Sequence, residues 1–192
     1  MEKEDKELIK EFIAGNPKSL EIVIDRYLKP IFNYVYRITN ERNETEDIVQ
    51  EIFIKVWKNI RKFDQKQNFK TWIFTITRNT AIDWLRKRKN VVFSELDPKT
   101  DSDDERSFAE KILDIEPLPD EIFMRKELEK ELENALLKIK PNFREIIFLR
   151  YKEDLTFQEI AEIVDKPLNT VKSQWRRALQ NLRKIIIEEK RI

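Results

Sequence analysis

The sequence predicts an all-α protein: two small helical domains joined by an acidic linker, the second domain containing a helix-turn-helix. Three observations predict it. A single glycine and seven scattered prolines in 192 residues leave little punctuation for strands and tight turns. Long Lys/Glu/Ile/Leu-rich runs repeat their apolar residues at helical spacing. Charge then divides the chain: residues 1–93 carry 19 basic and 14 acidic side chains (net +5), 94–120 carry 3 and 10 (net −7), and 121–192 carry 16 and 13 (net +3). The middle segment also holds Pro98, Pro117 and Pro119 and lacks periodicity, so it reads as a linker. It is either a solvated hinge kept extended by self-repulsion or a tether that imitates a nucleic acid strand, seated in a partner's basic channel or masking the basic blocks. Helices are expected near 4–14, 17–39, 44–61, 69–89, 120–139, 142–152, 156–164 and 167–188. Blocks of about 70 to 90 residues bury only about 60% of their unfolded surface, so each is expected to be modest in stability and helped by a partner.

Composition excludes most chemistry. The chain has no cysteine and no histidine, which removes disulfides, thiol catalysis, nearly every zinc site and the commonest general base. One glycine, Gly15, is too few for a phosphate-binding loop or a dinucleotide fingerprint. We therefore expect no enzyme, no metal, no cofactor and no small-molecule substrate. No run approaches the roughly 18 apolar residues of a membrane span, and the mixed-charge start Met1-Glu2-Lys3-Glu4-Asp5-Lys6 carries no visible secretory signal. A cytoplasmic location without membrane insertion is expected.

In the first block, Asn43-Glu44-Thr45-Glu46 fits a capping box. From there Ile48, Val49, Ile52, Val56 and Ile60 fall on one arc and form a core stripe. The opposite arc holds Asp47, Gln50, Glu51, Ile54 and Lys58, with Trp57 at its edge. Ile54 among carboxylates is either a scattered surface hydrophobe or a contact completed by a partner. On the 69–89 helix, Phe69, Trp72, Ile73, Ile76 and Trp84 share an arc. Thr71, Thr75, Arg78, Asn79 and Arg86 make a narrow polar stripe without an acid, broken by Ile82 and ending in Arg86-Lys87-Arg88-Lys89. Such a stripe suits a phosphate backbone with base edges in reach, or else belongs to a buried helix whose basic end complements its dipole. The loop from Phe63 to Phe69, with its two aromatics and Asn68, could hold an unstacked base.

In the second block, Thr156-Phe157-Gln158-Glu159 is another capping-box pattern. It opens a short helix, Asp165-Lys166 make a turn, and Pro167 stands where a first helical turn tolerates it. The next helix segregates Leu168, Val171, Trp175, Ala178, Leu179, Leu182, Ile185 and Ile186 to one side. Asn169, Thr170, Lys172, Ser173, Arg176 and Arg177 lie on the other. Residues 168–187 carry five basic side chains and no acid. That face fits a recognition helix in a DNA major groove; the alternative is a dimerising or solvated amphipathic helix.

At this point the chain resembles the two-domain, extracytoplasmic-function group of bacterial RNA polymerase sigma factors. The segment from Glu46 to Trp57 is similar to the family's polymerase-binding helix, that from Phe69 to Arg86 to its promoter minus-ten helix. Leu155 to Ala161 and Thr170-Val171-Lys172-Ser173 resemble its helix-turn-helix for the minus-thirty-five element. The resemblance implies a sigma factor that directs core RNA polymerase to promoter DNA, assists opening of the duplex, and is controlled by an anti-sigma factor. It implies that Asp47, Gln50, Glu51 and Ile54 contact the polymerase clamp. It puts Phe63, Asn68, Phe69, Thr75, Arg78, Asn79 and Arg86 at minus-ten DNA, and Asn169, Thr170, Lys172, Ser173, Arg176 and Arg177 at minus-thirty-five DNA. Two positions depart from the family pattern: Gln174 stands where Arg is frequent, and Asp165-Lys166 form the turn where Gly is frequent. Trp175 is expected to pack inward. The rivals are a helix-turn-helix regulator that works without polymerase and a helical adaptor whose basic faces bind acidic proteins.

Overall fold

The computed structural model describes residues 3–94, 132 and 134–189, and among these no residue is in a strand. The first domain begins with α1 (Asp5–Ile13), whose Leu8 and Ile9 are fully buried. Gly15 turns the chain with φ +104, a region open to glycine but strained for other residues. Asn16 then caps α2 (Pro17–Thr39) by accepting from the Lys18 N–H at 3.2 Å, with Pro17 pre-set at the first helical position. Asp5 ties α1 to α2 by bonding both Arg26 and Tyr27. Burial first, and the Asp5 bond second, hold the Tyr27 phenol far above its ordinary pKa, so it stays a donor.

Asn40 ends α2 in the left-handed conformation, φ 56, and α3 (Arg42–Asn59) starts two residues later. The capping box expected at Asn43–Glu46 does not form. The N-cap is Glu41, without a side-chain cap bond, and Glu46 pairs with Arg42 at 3.0 Å instead. The junction is closed by two buried hydroxyls: Thr39 and Thr45 share a hydrogen bond of 2.7 Å, and Thr45 also donates to the Glu41 carbonyl at 2.7 Å. Ile48, Val49, Ile52 and Val56 are all buried, at about 1.5–3 kcal/mol for each fully buried side chain. A 3-10 turn (Ile60–Lys62) leads to a loop and then α4 (Phe69–Ser94), which runs five residues beyond the expected end.

The expected linker, 94–120, lies outside the described residues apart from Ser94, as does most of the helix expected at 120–139. The second domain is described from a helical stretch at 134–138, followed by α5 (Pro141–Tyr151), α6 (Phe157–Val164) and α7 (Leu168–Glu189). Thr156 and Glu159 form the expected capping box, with bonds of 2.7 and 3.2 Å. Asp165 makes the turn at φ 51, with the Lys166 N–H returning to the Ala161 carbonyl at 3.0 Å. A short polar residue tolerates this left-handed position, which is how the turn dispenses with glycine.

The two domains share a core. Ile146, Phe148, Leu149, Leu155 and Ile160 belong to the same buried cluster as Tyr34, Phe69 and Phe74 of the first domain. Tyr34 meets Phe148 with ring centroids 5.8 Å apart, and the Arg37 guanidinium lies 5.0 Å from the Phe148 centroid. Each small domain thus covers apolar surface of the other. A second cluster of Ile139, Phe143, Ile147 and Ala178 seats α7 on α5.

Candidate protein and nucleic-acid interfaces

Three surfaces carry the residues singled out in the sequence. On α3, the buried Ile48/Val49/Ile52/Val56 stripe turns the other arc to solvent: Asp47, Gln50, Glu51 and Ile54 are all exposed. Ile54 is 50% exposed and Trp57 59%, so two large apolar side chains stand beside three acceptors on one helix face. Glu51 is partly engaged by Lys55 at 2.7 Å. The face offers an apolar centre rimmed by acids, the composition of a protein contact rather than of a nucleic acid contact.

The α4 surface divides in two. Asn79 and Arg86 are exposed, and Arg86 has an Asp83 neighbour at 3.8 Å. The other half is occupied. Thr71 is buried with its hydroxyl lacking a partner among the described residues, and the half-buried Thr75 hydroxyl donates to the Thr71 carbonyl at 2.8 Å. Arg78 donates from Nε to Glu145 of α5 at 2.8 Å. The same carboxylate accepts from the Tyr34 hydroxyl at 2.7 Å. Burial foremost, then the Glu145 charge, hold that phenol well above its ordinary range, so Tyr34 acts as a fixed donor.

The loop before α4 corrects an expectation. Phe63 and Phe69 are 6% and 2% exposed, so neither presents a ring to a base. Their centroids lie 5.3 Å apart and each packs on Trp72, at 5.1 and 5.4 Å, while Phe69 also meets Tyr27 at 5.5 Å. The apolar term wins because a three-ring cluster beneath the loop removes far more surface from water than an exposed ring would. The polar loop residues stay outside. Asp64 accepts from the Lys66 N–H at 2.9 Å, and Asn68 caps α4 by accepting from the Lys70 N–H at 2.8 Å. The Asn68 amide also donates to Glu159 at 2.6 Å.

On α7 the outer face is open. Asn169, Lys172, Ser173, Arg176 and Arg177 are exposed and Thr170 is half-buried; Ser173 donates to the Thr170 carbonyl at 2.9 Å. Val171 and Ala178 are fully buried beneath them. Trp175 packs on Tyr151 and Phe157, at 5.2 and 5.7 Å, confirming its inward role. Beside it opens a cleft of about 470 Å³ rimmed by Lys172, Arg176 and Arg183. Cations and amides without a carboxylate on that face suit phosphates and base edges.

Comparison with known proteins matches residues 23–91 to the Sigma-70 region 2 model and residues 135–184 to the Sigma-70 region 4 model. The chain is 32% identical over 184 residues to ECF RNA polymerase sigma factor SigW of Bacillus subtilis (strain 168), covering 96% of this chain and 97% of that one. It belongs to the extracytoplasmic-function RNA polymerase sigma factors. This sigma factor is also 29% identical over 170 residues to SigX of the same bacterium, covering 87% of this chain and 83% of the relative. Its fold matches the sigma factor RpoE solved with the anti-sigma factor NepR from Bartonella quintana: TM-score 0.68, 22% identity, 88% of this chain and 97% of that one. A second match is CnrH in complex with the cytosolic domain of CnrY, with TM-score 0.65, 19% identity, and 96% and 97% coverage.

In this sigma factor, α2 to α4 make up most of region 2, and α5 to α7 most of region 4. Sequence reasoning missed the residues that join them. Lys70 reaches the Glu153 carboxylate at 3.0 Å and the Glu153 carbonyl at 2.6 Å, and Glu153 is only 7% exposed. Glu145 carries no sequence signal of its partner, and Glu159 signals only its capping role. Glu153 lies between Lys152 and Asp154 and Glu145 follows Arg144, so charge in the sequence does not single them out.

Proposed function

We propose that this sigma factor binds core RNA polymerase through Asp47, Gln50, Glu51 and Ile54, and brings it to promoters read by both domains. Asn169, Thr170, Lys172, Ser173, Arg176 and Arg177 meet the minus-thirty-five element, while Asn68, Thr75, Arg78, Asn79 and Arg86 lie against minus-ten DNA. The observation that carries the reading is the order of two surfaces in one chain: an exposed apolar–acidic face on α3 in region 2, then an acid-free cationic face on α7 in region 4.

Duplex opening requires capture of an unstacked base, and unstacking costs a few kcal/mol. With Phe63 and Phe69 committed to the core, capture falls to the main chain and polar side chains from Asp64 to Asn68. The two aromatics hold that loop in shape. Net charges of +5 and +3 on the two domain-bearing segments neutralise few phosphates, so polymerase supplies most of the DNA affinity. The boundaries 1–93, 94–120 and 121–192 are the proposed division, with the −7 segment threading a basic channel of the polymerase. An anti-sigma factor covering the same faces is the proposed control, in a cytoplasmic setting; among the described residues no helix is long and apolar enough to cross a membrane. Run-off transcription on fragmented genomic DNA tests the reading. Core polymerase with this protein is expected to give new, discrete start sites, and an unaltered transcript pattern would refute it.

A further inference from the structure

Two ion pairs on α3 share a spacing and differ in their surroundings. Arg42 donates from Nε to Glu46 at 3.0 Å across one helical turn; its side chain is 74% exposed and makes no hydrogen bond to another helix among the described residues. Lys55 meets Glu51 at 2.7 Å across one turn as well, but its side chain is only 39% exposed. Its ammonium also donates to the hydroxyl of Thr80 on α4 at 3.1 Å, and Thr80 is buried. The Asn59 amide closes the last turn of α3 by donating to the Lys55 carbonyl at 2.8 Å. Both ends of this lysine are therefore held, the main chain by Asn59 and the ammonium by acceptors on two helices. Glu51 also precedes its base, the order that favours such a pair on a helix, and Arg42–Glu46 has the reverse order. An exposed pair of mobile chains contributes little, because ordering both chains offsets their attraction. The buried hydroxyl changes that balance by fixing the ammonium independently of Glu51. The pair takes Oε1 of Glu51 and leaves Oε2 for a partner.

We propose that Lys55 is a positioning residue for polymerase binding: anchored on Thr80 of α4, it holds the Glu51 carboxylate in the orientation that core polymerase meets. The inference rests on the assignment of the α3 face to polymerase. It makes α4 a support for that face, since the anchor of an exposed α3 carboxylate belongs to the helix packed against it. Glu51 then loses its side-chain freedom on folding rather than on binding, so association costs less entropy. Charge by itself gives the opposite sign. Asp47 and Glu51 beside Ile54 suit a cationic partner, and a lysine next to them repels such a partner. On charge, removing Lys55 would tighten binding; on positioning, it weakens binding.

The absence of native cysteine allows a clean test. A dye on Lys18→Cys, at an exposed position on α2, reports binding of the full chain to core polymerase by fluorescence anisotropy. Lys55→Met is expected to weaken binding about fivefold, the scale of immobilising one long side chain. Lys55→Arg keeps a charged donor and is expected to stay within about twofold of the parent. Thr80→Val removes the anchor while leaving the ion pair, and is expected to weaken binding about twofold. Glu51→Gln is expected to weaken binding by more than Lys55→Met does. In that background Lys55→Met should add no further loss, because a positioning residue acts only through the group it positions. Arg42→Met, the same change in the unanchored pair, is expected to leave affinity unchanged. Circular dichroism verifies that each variant is folded; Lys55 is half-buried at the edge of the core, and its replacement by Met is expected to keep the parent's helicity. Where Glu51→Gln weakens binding, a Lys55→Met variant that binds as well as the parent or better, or that loses as much without Glu51 as with it, would overturn the positioning role. Unchanged binding by Glu51→Gln would instead overturn the assignment of Glu51 to the polymerase contact.

Discussion

Two helices in this protein carry long polar faces with few acids, and they meet opposite fates. On α7, Lys172, Ser173, Arg176 and Arg177 face solvent, and no ion pair to them is formed among the described residues. On α4, Arg78 is met by Glu145, and Lys70, on the same flank, by Glu153, while Asn79 and Arg86 further along stay open. The difference lies in what the fold brings across from the other domain, since the two helices are alike in local pattern. An acid-poor face is a candidate for nucleic acid, but its availability is a tertiary property. In this chain the second domain supplies the carboxylates that meet Arg78 and Lys70 of α4.

The contrast can be broken most severely in the loop before α4. Phe63→Ala is expected to cost about 3–5 kcal/mol of stability, because it opens a cavity under Phe69 and Trp72. Urea unfolding checks this, and a variant as stable as the parent would restore Phe63 to the surface. Lys172→Ala/Arg176→Ala should do the opposite: unchanged unfolding, but promoter-directed run-off transcription reduced about 100-fold, from two base or phosphate contacts at about 1–3 kcal/mol each. Ile54→Asp should weaken retention of core polymerase by about 30-fold, the loss of a hot spot of about 2 kcal/mol, with helicity intact by circular dichroism. The smallest effect is expected from Asn79→Ala. It should reduce permanganate reactivity of melted thymines several-fold, about 1 kcal/mol, with little change in the closed-complex footprint.

Much of the fold is legible from spacing alone. The Ile48/Val49/Ile52/Val56 stripe, the exposed Ile54, the Thr156 capping box and the inward Trp175 are all consequences of helical periodicity, which a local window contains. The start of α3 is not legible in this way. The Thr39–Thr45 hydroxyl pair spans the end of one helix and the beginning of the next, and it outcompetes the Asn43 pattern. The aromatic loop misleads for a related reason. Phe63 and Phe69 have polar sequence neighbours, yet Tyr27 from α2 and Trp72 from α4 converge beneath them. Pairing of Arg78 with Glu145 joins residues 67 apart, beyond any periodicity. The candidate site is therefore legible where a single helix presents it, and illegible where two domains share it.

The most direct measurement is an electrophoretic mobility shift on a duplex promoter fragment at physiological salt, with and without core polymerase. A chain with Arg78 of α4 paired to Glu145 and small net charge on each domain-bearing segment should give no stable complex alone and a discrete, transcription-competent complex with polymerase. A tight shift by the purified chain alone, unaffected by polymerase, would contradict the account and mark a regulator that acts by itself.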